Sequence, residues 1–252
     1  MEKLLSAESL CKTYILKGSS NNVLRGVDLE IGEGEFVCVM GPSGSGKSTL
    51  LYTISGMDAM TSGKVLFGDR DIAKLGKKEL AKLRLNEMGF IFQQMYMLKK
   101  LCVLDNILMP GFQAGGDRAK VRERAEQLMR RLGIIECAER EITEISGGQL
   151  QRACLCRALI NEPKIIFADE PTGALNSRAA EEVMRELTAA NRTGTAVMMI
   201  THSVRVAAQS DRVLYLLDGD IRGELKLGKL ENENELTKRE RELNTWLMDR
   251  GW

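Results

Sequence analysis

The sequence predicts an α/β protein built on a parallel sheet that is covered on both faces. Three observations carry this prediction. The short segments "FVCVM", "IIFA" and "AVMMI" are apolar throughout rather than alternating, as strands buried on both sides are. Helical periodicity separates them, in the order strand, helix, strand. With 252 residues, the chain is also long enough to bury a core of that size.

Taken in order, "VLRGVDLEI" and "EFVCVM" read as strands joined by a turn at "GEG", and "TSGKVLFGDRDI" holds another short strand bounded by glycines. "KKELAKLRLNEMG" reads as a helix. From about Met95 to Gly133 the pattern is helical and charged, with Val121, Ala125, Leu128 and Leu132 forming a narrow apolar stripe whose Arg and Glu neighbours make a solvated face. Helix resumes after "EISGG", Pro163 punctuates it, and "KIIFADE" is a strand ending in two acids. "SRAAEEVMRELTAAN" is a helix and "TAVMMI" the next strand. From about Glu224 the chain is polar, then amphipathic. Leu236, Leu243, Trp246 and Leu247 fall at roughly helical spacing, which predicts a short helix docked on its own domain, with contact to another subunit as the alternative.

Composition narrows the partners. Thirty-six basic against 35 acidic residues leave a net charge of +1, so no global field favours nucleic acid or an anionic membrane. No apolar run approaches the roughly 20 residues of a membrane-spanning helix, and "MEKLLSAESL" lacks the pattern of a leader; the chain reads as soluble and unexported. Of six cysteines, only Cys154 and Cys156 lie close together. At i, i+2 on a helix they face different ways, so a shared metal site is not expected.

"VMGPSGSGKSTL" satisfies G-x-x-x-x-G-K-[ST] through Gly41, Gly46, Lys47 and Ser48, between an apolar strand and a helix. Glycines let the backbone curl so that successive N–H groups face phosphate oxygens, and the helix N-terminus adds favourable partial charge. Lys47 is placed to reach the β and γ phosphates, and Ser48 to complete the shell of a magnesium ion. "IIFADE" supplies the acids that such a site needs: Asp169 for the metal and Glu170 as general base for the attacking water. A second glycine motif, "ISGGQLQR", opens another helix and so offers a second anion-binding N-terminus. One nucleotide does not need two from one chain; a second copy can supply it.

These motifs, in this order, resemble the ATP-binding subunits of ABC transporters from about residue 3 to residue 223. The resemblance implies a P-loop NTPase fold with a RecA-like core, an antiparallel β subdomain and an α-helical subdomain at about 95–160, residues 1–223 forming the ATP-binding domain and 224–252 an extension. It implies that Tyr14 stacks on adenine and that Gly41, Pro42, Ser43, Gly44, Ser45, Gly46, Lys47, Ser48 and Thr49 form the phosphate loop. Gln93 of "GFIFQQ" matches the glutamine that touches magnesium and senses the membrane partner. Ser146, Gly147, Gly148 and Gln149 match the signature motif, Asp169 and Glu170 the acid pair, and His202, the only histidine, the imidazole that holds the γ-phosphate and orders Glu170 and water. In one position the chain departs: Asn176 stands in "GALN" where the family usually has Asp, which keeps hydrogen bonding, loses the charge, and suits a helix cap.

Within the family, "GPSGSGKSTLLYTISGMD", "GFIFQQMYMLKKLCVLDNILMP" and "FADEPTGALNS" resemble the macrolide-export, lipoprotein-releasing and bacitracin-resistance branch, closest to its peptide-antibiotic resistance members. The resemblance implies an ATPase using Mg²⁺ and ATP, a homodimer on the cytoplasmic face of the membrane beneath a separate permease, and no nucleic-acid partner. A non-transport signalling or cell-division complex driven by the same ATPase is the alternative. Met95, Tyr96, Met97 and Leu98 follow the glutamine and suit either permease docking or core packing.

Overall fold

The computed structural model describes residues 2–16, 18–173 and 175–252. Two sheets and a helical layer make up the fold. The larger sheet has six strands, in the spatial order β10 (Asp220–Lys226), β9 (Arg212–Leu217), β3 (Phe36–Met40), β8 (Ala196–Ile200), β7 (Ile165–Asp169) and β6 (Met88–Ile91). All neighbours in it pair parallel except β10, which returns antiparallel along β9.

Side-chain alternation along these apolar strands explains why both faces are buried. In β3, Phe36, Cys38 and Met40 enter one core while Val37 and Val39 enter the other. Strand β7 divides the same way, with Ile166 and Ala168 opposite Ile165 and Phe167. Each strand thus needs a partner layer above and below.

One face is covered by a four-stranded antiparallel sheet, ordered β2 (Ser19–Gly32), β1 (Lys3–Leu16), β4 (Ser62–Phe67) and β5 (Arg70–Asp71), and by helix α1 (Lys47–Ile54). Helix α2 (Lys77–Glu87) leads into β6. Helices α3 (Val103–Gln113), α4 (Arg118–Arg131), α5 (Gly147–Leu159) and α6 (Ser177–Arg192) line the other face, joined by the single turn α7 (Val204–Ala207) and by α8 (Leu236–Met248).

Three sequence expectations need correction. The helical stretch predicted from Met95 begins only at Val103: residues 95–98 are irregular and 99–101 form turns, held by Asn106, whose buried amide donates to the carbonyls of Leu98, Leu101 and Cys102. The glycine-bounded strand at "TSGKVLFGDRDI" is a hairpin of β4 and β5. Strands β1, β6, β9 and β10 were not assigned. For β9 and β10 a signal existed: Asp218-Gly219 is a two-residue turn between apolar runs, with φ of 50° and 79°, the geometry that favours glycine in hairpins. Strand β10 also crosses residue 223, so the extension begins inside the sheet.

Helix α8 packs on the chain's own core. Leu243 and Leu247 are fully buried, and Arg239 donates to the carbonyls of Gly228 and Lys229. Removing a buried leucine side chain costs about 2–5 kcal/mol. Leu247→Ala is therefore expected to lower the denaturant midpoint by that equivalent while leaving nucleotide binding intact; an unchanged midpoint in chemical denaturation would show the helix is not part of the cooperative core.

Candidate functional site

The candidate catalytic residues leave the parallel sheet at one edge. Gly41 follows β3, Gln93 follows β6 by two positions, Asp169 ends β7, and His202 lies two positions past β8. In open parallel sheets the ligand crevice forms at this carboxyl edge.

The loop after β3 runs so close to β9 that a Cβ at Gly41 would sit 2.1 Å from the carbonyl oxygen of Leu216. Helix α1 then starts at Lys47, and its N-cap, Gly46, has no side chain to satisfy it. The N–H groups of the first turn have no intrahelical acceptor, so this end of α1 presents donors and positive partial charge to an anion. Lys47 is nearly buried, and its Nζ donates to the carbonyls of Gly41 and Pro42, both at 2.8 Å. Burial lowers its pKa, while the charges of Glu170 and Asp169 act against that. The Ser45 hydroxyl oxygen is buried without a partner.

Opposite Lys47 stand the two acids. Asp169 is buried and accepts a hydrogen bond from the Tyr52 hydroxyl at 3.3 Å; burial and that carboxylate push the Tyr52 pKa up to about 12. Glu170 adopts a left-handed φ of 48°, which costs a non-glycine residue about 1–2 kcal/mol and marks a backbone held by its surroundings. Burial, then the Asp169 charge, raises the Glu170 pKa; Lys47, the Thr201 side chain and the His202 backbone N–H pull it down. One carboxylate oxygen, Oε1, is buried with no hydrogen-bond partner, and the His202 Nε2 lies 3.6 Å from it, too far for a hydrogen bond. Burial and the Lys47 charge lower the imidazole pKa, with Asp169 acting against them, which favours the neutral ring. A carboxylate with one free oxygen and a raised pKa, beside a buried ammonium, is equipped to accept a proton from water.

Tyr14, on β1, is set beside this centre. Its hydroxyl donates to Asp58 Oδ2 at 2.6 Å and also contacts the Thr49 side chain, and the Lys12 ammonium sits 4.7 Å from the ring centroid. Lys12 itself donates to Asp58 Oδ1 at 2.6 Å. Gln93 is exposed in the loop after β6, next to Phe92, whose ring packs against Tyr52 and Tyr96.

The signature residues lie elsewhere. Ser146 caps α5 reciprocally with Gln149: its hydroxyl oxygen accepts from the Gln149 backbone at 3.2 Å, and Gln149 Oε1 accepts from the Ser146 backbone at 2.9 Å. The Ser146 hydroxyl proton is left free to donate to an anion. A cavity of about 460 Å³ opens here, lined by Ser146, Gly147, Gly148, Arg152, Asn176 and Arg178 among others and by none of the phosphate loop. Asn176 caps α6, accepting from the Ala179 backbone at 2.9 Å. The structure thus gathers Lys47, Asp169, Glu170 and His202 in one place and leaves Ser146, Gly147, Gly148 and Gln149 outside it. Sequence reasoning missed Tyr52, Asp58, Lys12 and Thr201, whose roles come from contacts across strands that no local pattern encodes.

Residues 24–173 match the family model described as "ABC transporter". The chain is 39% identical over 225 residues to the lipoprotein-releasing system ATP-binding protein LolD of Aquifex aeolicus, an alignment covering 89% of this chain and 99% of that one. It is 40% identical over 226 residues to the bacitracin export ATP-binding protein BceA of Halalkalibacterium halodurans, covering 89% of each. Its structure is similar, at a TM-score of 0.85 and 36% identity, to the ATP-binding cassette MJ0796 in a dimeric post-hydrolysis state bound to ADP and Pi, over 90% of this chain and all of that one. The chain belongs to the ABC transporter family. It binds ATP and is an ATPase.

Gly41→Ala tests the close approach of loop and strand. Forcing a methyl against a backbone carbonyl costs about 1–3 kcal/mol, and the strain falls on the loop. ATP affinity, read by titration with a fluorescent nucleotide, is expected to drop about tenfold or more while circular dichroism stays unchanged; wild-type affinity would mean the loop tolerates displacement.

Proposed function

We propose that the chain is the motor subunit of a membrane transporter that works on antimicrobial peptides or related substrates handled outside the cytoplasm, and that two copies close head to tail around two ATP molecules. The observation that carries this reading is the division of labour on one chain: an acid, base and lysine centre at one place, and a second helix N-terminus with Ser146 and Gly148, lining its own cavity, at another. Each half suits the other half of a second copy. The dimeric cassette similar to this chain and the lipoprotein-releasing and bacitracin-export names of its relatives support both the assembly and the substrate class.

In this reading the N–H groups of the phosphate loop, from Gly41 through Thr49, and Lys47 bind the phosphates, with Tyr14 against the base. Asp169, Ser48 and Gln93 offer hard oxygen donors that fit Mg²⁺, which when bound neutralises charge on the β and γ phosphates. Glu170 orients the attacking water and takes its proton, and the neutral His202 donates toward the γ-phosphate. Ser146 and Gly148 of the second copy cover the same phosphate, Gln149 keeping Ser146 capped. The ATP-binding domain runs from the start of β1 through β10, with its helical part from α3 to α5, and the residues after β10 are the extension.

Among the described residues no helix is long and apolar enough to cross a membrane; in this reading force passes to a separate permease, met at the cytoplasmic face, and nucleic acid has no part. Helix α5 is placed to carry the force. Arg157 donates to the carbonyls of Met95 and Tyr96 at 2.9 and 2.8 Å, and Gln151 donates to the Pro171 carbonyl, next to Glu170, at 2.8 Å. Tyr96 and Leu98 are exposed beside it and offer the permease an apolar contact, whereas Met97 packs partly on the core.

The test is assembly. Glu170→Gln is expected to bind ATP, lose turnover by about 10²-fold or more, and run as a dimer by light scattering in ATP but as a monomer in ADP; Ser146→Arg in the same chain abolishes the dimer. An ATP-saturated Glu170→Gln protein that stays monomeric, alone and with its permease, would overturn the head-to-tail site.

A further inference from the structure

The last residue of the sequence touches the catalytic histidine. The Trp252 indole lies against the His202 imidazole, ring centroids 5.9 Å apart and planes 30° apart. The indole is itself seated on Tyr215 of β9, edge to face at 6.3 Å and 70°. Tyr215 is fully buried and also meets Trp246 of α8, at 6.4 Å and 84°. Three backbone hydrogen bonds fold the last turn back onto α8, from Arg250 and Trp252 to the carbonyl of Leu247 and from Gly251 to that of Met248. A ladder of rings therefore runs from the extension to the reaction centre: Trp246, Tyr215, Trp252, His202.

Without Trp252 the imidazole would be loosely held. Its side chain is nearly half exposed, it makes no hydrogen bond to Glu170 at 3.6 Å, and it stands on a loop two residues beyond the sheet. Aromatic contacts in this distance range favour particular ring orientations, and a wall fixed to the core through Tyr215 restricts the rotamers open to His202. We propose that Trp252 is a positioning residue for His202: the extension reaches back to the site and holds the imidazole in the orientation that faces Glu170. This rests on the reading of His202 as the donor toward the γ-phosphate. It gives the extension a part in turnover, separate from the anchoring of α8 by Leu243 and Leu247.

The full-length chain supplies two independent tests. Because His202 is the only histidine, its ring signals are unambiguous in spectra of histidine-labelled protein, and the indole shifts them by its ring current. In Trp252→Ala these signals move toward their free positions, while Trp252→Phe keeps part of the shift; signals that stay put in Trp252→Ala overturn the contact. In ATPase assays Trp252→Ala lowers kcat about 2- to 12-fold, the equivalent of one aromatic contact, leaves KM for ATP unchanged, and is largely rescued by phenylalanine. In a His202→Ala background the same substitution changes nothing further. A kcat that is unchanged or raised, or an equal loss in the His202→Ala background, overturns positioning through His202. Wild-type turnover in His202→Ala alone would instead remove the role of the histidine on which the inference rests, with the spectra still deciding the contact.

Discussion

Parallel pairing of β3 between β8 and β9 is the constraint on which the site depends. Because these strands run the same way, with β7 and β6 continuing the order, the loops that follow them emerge at one edge. The phosphate loop, the acid pair and the histidine are brought together by backbone hydrogen bonding alone. Burial on both faces then fixes register: a slip by one residue would exchange every side chain of β3 between the two cores. Gly41 follows directly, since the loop must leave β3 against the Leu216 carbonyl of β9.

The electrostatics of the centre follow from the same burial. Lys47, Glu170 and His202 share a partly dry crevice with Asp169, so these three are shifted by desolvation and corrected by the charges around them. The result is a lysine that needs anionic company, a glutamate inclined to take a proton, and a histidine biased toward the neutral form. Left-handed strain at Glu170 belongs with this picture, because the Ile200 carbonyl accepts its N–H at 3.0 Å and holds it in place. Lys47 bridges its own loop carbonyls, so a buried cation has its hydrogen bonds met as well as the charges of Asp169 and Glu170 beside it.

Much of this was legible in the sequence because the chemistry is local. The phosphate loop, the signature and the acid pair are short contiguous strings, each with a backbone geometry that its glycines or its strand dictates. The alternating cores were legible from apolar runs such as "FVCVM". The long strand β1 was not, because its residues sit on a half-exposed sheet where charge and apolarity mix, as at Lys12 and Tyr14. Nor was the break before α3, since Asn106 ends the irregular segment by side-chain hydrogen bonds that no periodicity announces. The clearest missed signal was the Asp218-Gly219 turn.

The sequence by itself determined the motifs that supply the candidate groups and their order, since a curling glycine loop, a capped helix and a strand ending in acids are each written in a few adjacent residues. Only the tertiary structure decided which of them meet. It set Tyr52 on Asp169, Asp58 between Lys12 and Tyr14, and Trp252 against His202, pairs separated by 44 to 117 residues. It also kept the signature cavity apart from the phosphate loop. Such contacts depend on how sheets and helices stack, which is a sum over the whole core and has no local spelling.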